Sequence, residues 1–275
     1  VTCTRRSLSN LEGDLKRVVH KRCRLGAANQ ETIYFSSWQQ TEPIRDVSSY
    51  HMMHGTEISF AERATALRYR TGTMYTAKQR YRFKLAPSSA CLLCGQPDGG
   101  HHTASGCSNL AKLYTHRHNK AGQMILNAVR DGSMGDHVVM MDLGKEDEEP
   151  QDRHEQGTRR PLPHRIPRDI LPPSIPEEVK AAVTRHSIPD AFLYQPPTME
   201  TAAKYVIAEI KYCRDTDPTQ QLETARIQHQ TLETTIREAA PAAQVQYVTI
   251  MLGVGGTIFK KHTTEPLEQL GLRKG

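Results

Sequence analysis

Cys91-x2-Cys94-x7-His102-x4-Cys107 brings three thiols and an imidazole into one short stretch. Three thiolates and one ring nitrogen complete a tetrahedral shell for Zn²⁺, and such a full shell leaves no open position for chemistry, so the spacing predicts a structural zinc site. Gly95, Gly99 and Gly100 allow the tight backbone that the ligands need. His101 competes with His102 for the fourth position, and spacing mildly favours His102. The bland alternative is a set of reduced free cysteines, but a polar, glycine-rich loop has no packing use for three thiols. Cys213, further along, reads as a packing residue.

A second constellation starts at Pro189-Asp190 and resumes with Tyr205-Val206-Ile207-Ala208-Glu209-Ile210-Lys211-Tyr212, with 18 residues between Asp190 and Glu209. On a strand Glu209 and Lys211 leave the same face, while Val206, Ala208, Ile210 and Tyr212 leave the other. Charged groups inside so apolar a strand are costly to bury unless paired or bound to metal. Asp190 and Glu209, brought together by a hairpin, would hold Mg²⁺, with Mn²⁺ able to substitute, since hard cations take carboxylate oxygens. Lys211 would orient or deprotonate the attacking water and offset charge on a phosphorane. The reaction implied is hydrolysis of one phosphodiester, a nick. Glu200 is a second candidate acid. The competing account is an edge strand on which Glu209 and Lys211 merely pair across a solvated face.

Positioning these groups requires a sheet. Leu113 to Arg130 reads as a helix with Ala121, Met124, Ile125 and Ala128 on one face, ended by Gly132. His137 to Met141 reads as a short buried strand. Asp190 to Tyr194 and Lys204 to Cys213 form a hairpin around Pro196-Pro197. Leu222, Ala225, His229, Leu232, Ile236 and Ala239 recur at spacings of three and four, which predicts one amphipathic helix with His229 as a core histidine. Gln228 and Gln230 flank it. Asp217 and Pro218 read as that helix's N-cap and first residue. Val245 to Leu252 is a further buried strand, Gly253 to Gly256 a turn, and a short helix follows Thr264. Residues 145–187, rich in proline and charge, are predicted to form a long irregular insertion.

Pro189-Asp190 with Glu209-Ile210-Lys211 resembles the PD-(D/E)xK restriction-like nuclease signature, and the element order resembles that superfamily's αβββαβ core. The Cys-Cys-His-Cys knuckle followed by Arg117-His118-Asn119 resembles the region downstream of the polymerase in non-LTR retrotransposon proteins that carry a restriction-like endonuclease. This resemblance covers roughly residues 60–260. It implies an α/β fold with a mixed sheet flanked by helices, and a nuclear, metal-dependent endonuclease that nicks target DNA to prime copying of the element RNA. Asp190, Glu209 and Lys211 would then be catalytic, and Arg117 and His118 would bind or position DNA. No Asp-Asp pair of a polymerase motif is present.

Charge supports a polyanionic partner. The chain has 275 residues and a formal net charge of +6, yet residues 1–84 hold 15 Lys and Arg against 7 Asp and Glu. Segregated positive charge favours nucleic acid through counterion release. Arg68, Arg70, Lys78, Arg80, Arg82 and Lys84 alternate with Tyr69, Tyr75, Tyr81 and Phe83, an interleaving of cations for phosphates and rings for bases. A solvated helix face with a few buried aromatics would give the same pattern. His20 to Arg24 is an earlier basic cluster. No apolar run reaches the length of a bilayer span, and no signal peptide opens the chain, so an intracellular protein without a membrane partner is expected. Starting at Val1, the chain is expected to be a piece of a longer polyprotein. The predicted organisation is a basic helical segment at 1–84, resembling the end of a polymerase thumb, a knuckle at 85–112 and an endonuclease domain at 113–275.

Overall fold

The computed structural model describes residues 59–70, 73–143, 162–215 and 218–272. The His20–Arg24 cluster, Gly72, the first part of the 145–187 insertion and the expected cap Asp217 lie outside the described residues, as does the side chain of Arg70.

Four strands form one sheet in the order β1 (Val138–Met141), β2 (Ala191–Gln195), β3 (Lys204–Cys213), β4 (Gln244–Gly253). β1 with β2 and β2 with β3 are antiparallel; β3 with β4 is parallel. A parallel pair needs a crossover, here supplied by α5 (Thr219–Gln228) and α6 (Gln230–Ala239). β3 is therefore an interior strand, covered on both faces, which is why its sequence is nearly continuous in apolar residues.

The two faces carry different layers. On one, Leu126 and Val129 of α3 (Ala111–Asp131) pack on Leu193, Val206, Ala208, Ile210, Val248 and Ile250, with Leu270 beyond the C-terminal helix α7 (Glu265–Gln269). On the other, Leu232 and Ile236 of α6 and Val183 of α4 (Glu177–His186) pack on Met140, Phe192, Tyr205 and Ile207. Each such fully buried side chain contributes about 1.5–3 kcal/mol relative to exposure. The fold class expected from the sequence holds: an α/β chain with a mixed four-stranded sheet between helices.

Three local expectations are corrected. The core face of α3 is Gly122, Leu126 and Val129, while Met124 and Ala128 are exposed. Gly122 sets this rotation: a Cβ there would meet Leu143 Cδ2 at 2.5 Å, so the missing side chain lets the helix approach the layer beneath. Residues 162–187 are not wholly irregular, because they end in a helix and place apolar side chains in the core. Ile166, Leu171 and Ile175 are buried, and α4 begins directly after Pro176 with Glu177 and Glu178 in its first turn and Arg185 and His186 in its last, matching the helix dipole at both ends. The single helix expected over 222–239 is two helices, broken at His229 (φ −115°, ψ 11°).

On the N-terminal side, α1 (Phe60–Arg70) and α2 (Ala77–Arg82) precede the knuckle. Thr76 caps α2, its hydroxyl accepting from Gln79 N. Asp98 of the knuckle also ties it down, one oxygen accepting from Ala77 N at 2.7 Å and the other from the Thr103 hydroxyl at 3.0 Å.

Candidate functional site

The knuckle is built by a tight turn in which Cys91 N donates to Gln96 O at 2.7 Å and Gly95 N to Cys91 O at 2.8 Å. Gly95 takes φ +73°, a conformation that favours glycine. The turn gathers Cys91, Cys94, His102 and Cys107, whose ligand atoms lie within 4.8 Å of one another, and this cluster can hold a metal ion. Cys94 Sγ lies 3.2 Å from His102 Nε2, and Cys91 Sγ lies 4.0 Å from Cys107 Sγ. It is His102, not the neighbouring His101, that joins the set. Backbone N–H groups of Leu93 and Cys94 pull the Cys91 thiol down to about 7, toward the thiolate that a metal requires. α3 anchors the unit: the Tyr114 hydroxyl accepts from Cys107 N and donates to Thr103 O.

The second site lies where β2 begins. The β2–β3 register pairs Ala191 with Ala208, so the preceding residue, Asp190, stands opposite Glu209. Asp190 N donates to Glu209 Oε2 at 3.3 Å, and Asp190 Oδ2 accepts from Ile210 N at 2.6 Å. Both acids are buried, at 8% and 3% exposure. Lys211 Nζ reaches Glu209 Oε1 at 2.5 Å and donates to Gln228 Oε1 at 2.9 Å. An edge strand with a solvated ion pair is therefore not what this chain forms. The three predicted residues meet; Glu200 does not join them, lying exposed in the β2–β3 connection where its N–H bonds the Thr198 hydroxyl.

Two histidines complete the network. His118 shares the α3 face of Gly122 and Leu126, and its Nε2 lies 3.0 Å from Asp190 Oδ1. From the opposite layer, His229 Nε2 lies 3.0 Å from Glu209 Oε2; the ring is 1% exposed and sits 6.1 Å from that of Tyr247. Tyr247 donates to Ala225 O at 2.6 Å, fastening the end of α5 beside the break. The sequence placed His229 in the core but gave no sign that its ring would bond a site acid, because that contact is tertiary. Gln228, which precedes His229, contacts Lys211.

The charges respond in opposite senses. Burial raises the Asp190 carboxyl, and Glu209 adds to this; His118 and the Ile210 N–H pull the other way and lose. For Glu209, burial alone would also raise the carboxyl, but His229 and Lys211 together outweigh it and hold it lower than usual. His118 is raised, chiefly by its bond to Asp190.

Arg117 turns away from the acids. It donates to Ala104 O of the knuckle at 2.8 Å and lies over the Tyr212 ring, 4.3 Å from its centroid. Asp215, 2% exposed, has its carboxylate taken up by Gly255 N and Thr257 N, holding the turn after β4. Of the basic segment, Arg68, Lys78, Arg82 and Lys84 are exposed, as are Tyr75, Tyr81 and Phe83, whereas Arg80 is half-buried with its guanidinium 5.9 Å from the centroid of Tyr75. No helix among the described residues is long and apolar enough to cross a membrane. No protein-family model, no curated protein and no solved structure matches this chain.

Proposed function

We propose that this chain is a magnesium-dependent DNA endonuclease with a restriction-like core, carried behind a structural zinc knuckle. The observation that carries the reading is the meeting of Asp190, Glu209 and Lys211 at one sheet end, with both acids buried opposite each other. Two buried carboxylates side by side oppose each other electrostatically, and a divalent cation relieves that opposition. The order of α3, β1, β2, β3, the α5–α6 crossover and β4 is that of an αβββαβ core with α4 inserted.

Asp190 and Glu209 offer the hard oxygen donors that suit Mg²⁺. Lys211 and His118, at 23% and 26% side-chain exposure, are the partners able to swing toward solvent and free one oxygen of each acid. The bound ion would supply polarisation of the phosphodiester. Lys211, steadied by Gln228, would orient the attacking water and stabilise charge on the phosphoryl oxygens. Water adds at phosphorus, the P–O3′ bond breaks, and the nick carries a 3′ hydroxyl and a 5′ phosphate. Such a 3′ end can prime DNA synthesis, which fits target-primed copying of a retrotransposon RNA in the nucleus. At the knuckle, Cys91, Cys94, His102 and Cys107 would hold Zn²⁺, and their sulfur and nitrogen separations suit a tetrahedral shell. Arg68, Lys78, Arg82 and Lys84, with exposed rings among them, would meet DNA or RNA.

A second reading, a nucleic-acid clamp without turnover, is favoured by one observation: every carboxylate oxygen of Asp190 and Glu209 already has a protein partner. Conversion of supercoiled plasmid to the open circle separates the two. Magnesium-dependent nicking supports the enzyme; DNA binding with no nicking under either Mg²⁺ or Mn²⁺ leaves the clamp.

A further inference from the structure

α3 begins without the usual supports of a helix start. No side chain caps it, its first turn carries no acid, and none of its residues before Gly122 is buried. Helical turns of that kind are marginal unless packing holds them. What holds them here is the zinc loop. The Tyr114 hydroxyl lies 3.2 Å from Cys107 N and from His102 O and 2.9 Å from Thr103 O, so it grips the backbone of two ligand residues and of a residue between them. Arg117 adds its bond to Ala104 O.

His118 stands one turn beyond Tyr114. Residues four apart share a helix face, so Tyr114, His118, Gly122 and Leu126 form a single stripe. Along it α3 meets first the zinc loop, then Asp190 Oδ1 at 3.0 Å, then the core. The loop in turn owes its shape to a metal: Cys91, Cys94, His102 and Cys107 can hold one, and the free energy of binding it is free energy of folding the loop. The reach of His118 to Asp190 therefore depends on zinc by way of α3.

We infer that α3 is a splint coupling the two metal sites, with Tyr114 and His118 as its positioning residues: zinc at the knuckle raises the affinity of Asp190 and Glu209 for a hard divalent cation. The inference rests on the metal reading above and goes beyond it by making one site an effector of the other. The sense of the coupling follows from the acid. With the His118 ring in place, Asp190 Oδ1 still has a second lone pair for a cation, and a ligand held by such an outer bond is oriented before the cation arrives. When the first turns of α3 loosen, the carboxylate keeps only its bond from Ile210 N, and cation binding must order it. Coupling of this kind is reciprocal, so a cation at the acids also tightens zinc at the knuckle.

The test is Mn²⁺ binding to the full chain, followed by the paramagnetic resonance of the free ion, in zinc-loaded and zinc-free forms; no turnover is needed. The loaded parent should bind Mn²⁺ at a site that Asp190→Ala lacks, and removing zinc should weaken that binding about tenfold, the lower end of the effect of outer bonds on metal affinity. His118→Ala should show the same weakening with zinc in place and no further loss when zinc is removed. Tyr114→Phe keeps the ring and loses only the hydroxyl; it should retain zinc and bind Mn²⁺ severalfold more weakly, and it carries the test if the zinc-free chain unfolds. Equal affinity with and without zinc overturns the inference, as does parent affinity in Tyr114→Phe. A zinc effect of the same size in His118→Ala as in the parent also overturns it, since general destabilisation would give that result. If the loaded parent binds no Mn²⁺ that Asp190→Ala loses, the metal reading itself has failed.

Discussion

Asp190→Asn should make the metal-free protein more stable while removing its activity. The side chain is 8% exposed and faces Glu209, and burial with that neighbour raises its carboxyl above the ordinary range. A raised acid contributes stability when protonated, below its unfolded value near 3.8, and loses it as pH rises through the folded value. At neutral pH the parent therefore carries a penalty that asparagine lacks. The hydrogen bonds survive the change: the amide oxygen still accepts from Ile210 N, and the amide nitrogen can donate to a neutral His118. Losing charge assistance in the His118 contact gives back about 1 kcal/mol, against relief of about 1–2 kcal/mol typical of unstrained active-site substitutions. The net gain of up to about 1 kcal/mol corresponds to a rise in Tm of about 2–4 °C for a chain of this size. Thermal unfolding at pH 7 without divalent metal, repeated near pH 4, is the assay. The advantage should shrink at the lower pH, as the parent carboxyl takes up its proton. A loss of more than about 1 kcal/mol at pH 7 would refute the reasoning, since the Asp190–His118 pair would then be a structural ion pair.

Other consequences are sharper in readout. The purified chain should carry about one zinc, and Cys107→Ser, at a ligand that is 1% exposed, should lose it and lower the unfolding temperature. Full thermal stability with no zinc bound would leave the knuckle without a metal role. His229→Leu should lower kcat about 10- to 100-fold with KM little changed, because Glu209 loses one of the bonds that fix it, and His229→Gln should recover most of the rate by restoring a donor. Steady-state nicking rates equal to the parent in His229→Leu would remove any positioning role. Leu232→Ala, at a side chain with no exposed surface, should cost about 2–5 kcal/mol in urea unfolding and leave nicking intact at low temperature. A cost below 1 kcal/mol would mean that α6 does not close the core.

Much of the frame was legible because local pattern and tertiary burden agree. β3 and β4 are long apolar runs since both faces of the sheet are covered, and the hairpin between Asp190 and Glu209 followed from where the apolar runs start and stop. The helix break at His229 was not legible. Residues 222–239 keep their three-four periodicity across it, and only the bond from His229 to the buried Glu209, with Tyr247 holding Ala225, accounts for the interruption. α4 was obscured by the prolines around it, although Pro176 followed by Glu177 and Glu178 is a helix start in its own right. The rotation of α3 was missed because periodicity weights Met124 and Ala128 above a glycine, whereas close approach at Gly122 decides which face is inward, and with it the reach of His118.

Single-turnover nicking of duplex DNA with Mg²⁺, under saturating protein and with binding measured in parallel, bears most directly on the joint action of two acids and one amine. The parent should nick, and Asp190→Ala, Glu209→Ala and Lys211→Ala should each fall by about a thousandfold or more while DNA affinity stays within severalfold. Rates within tenfold of the parent in all three would place the chemistry elsewhere in the chain.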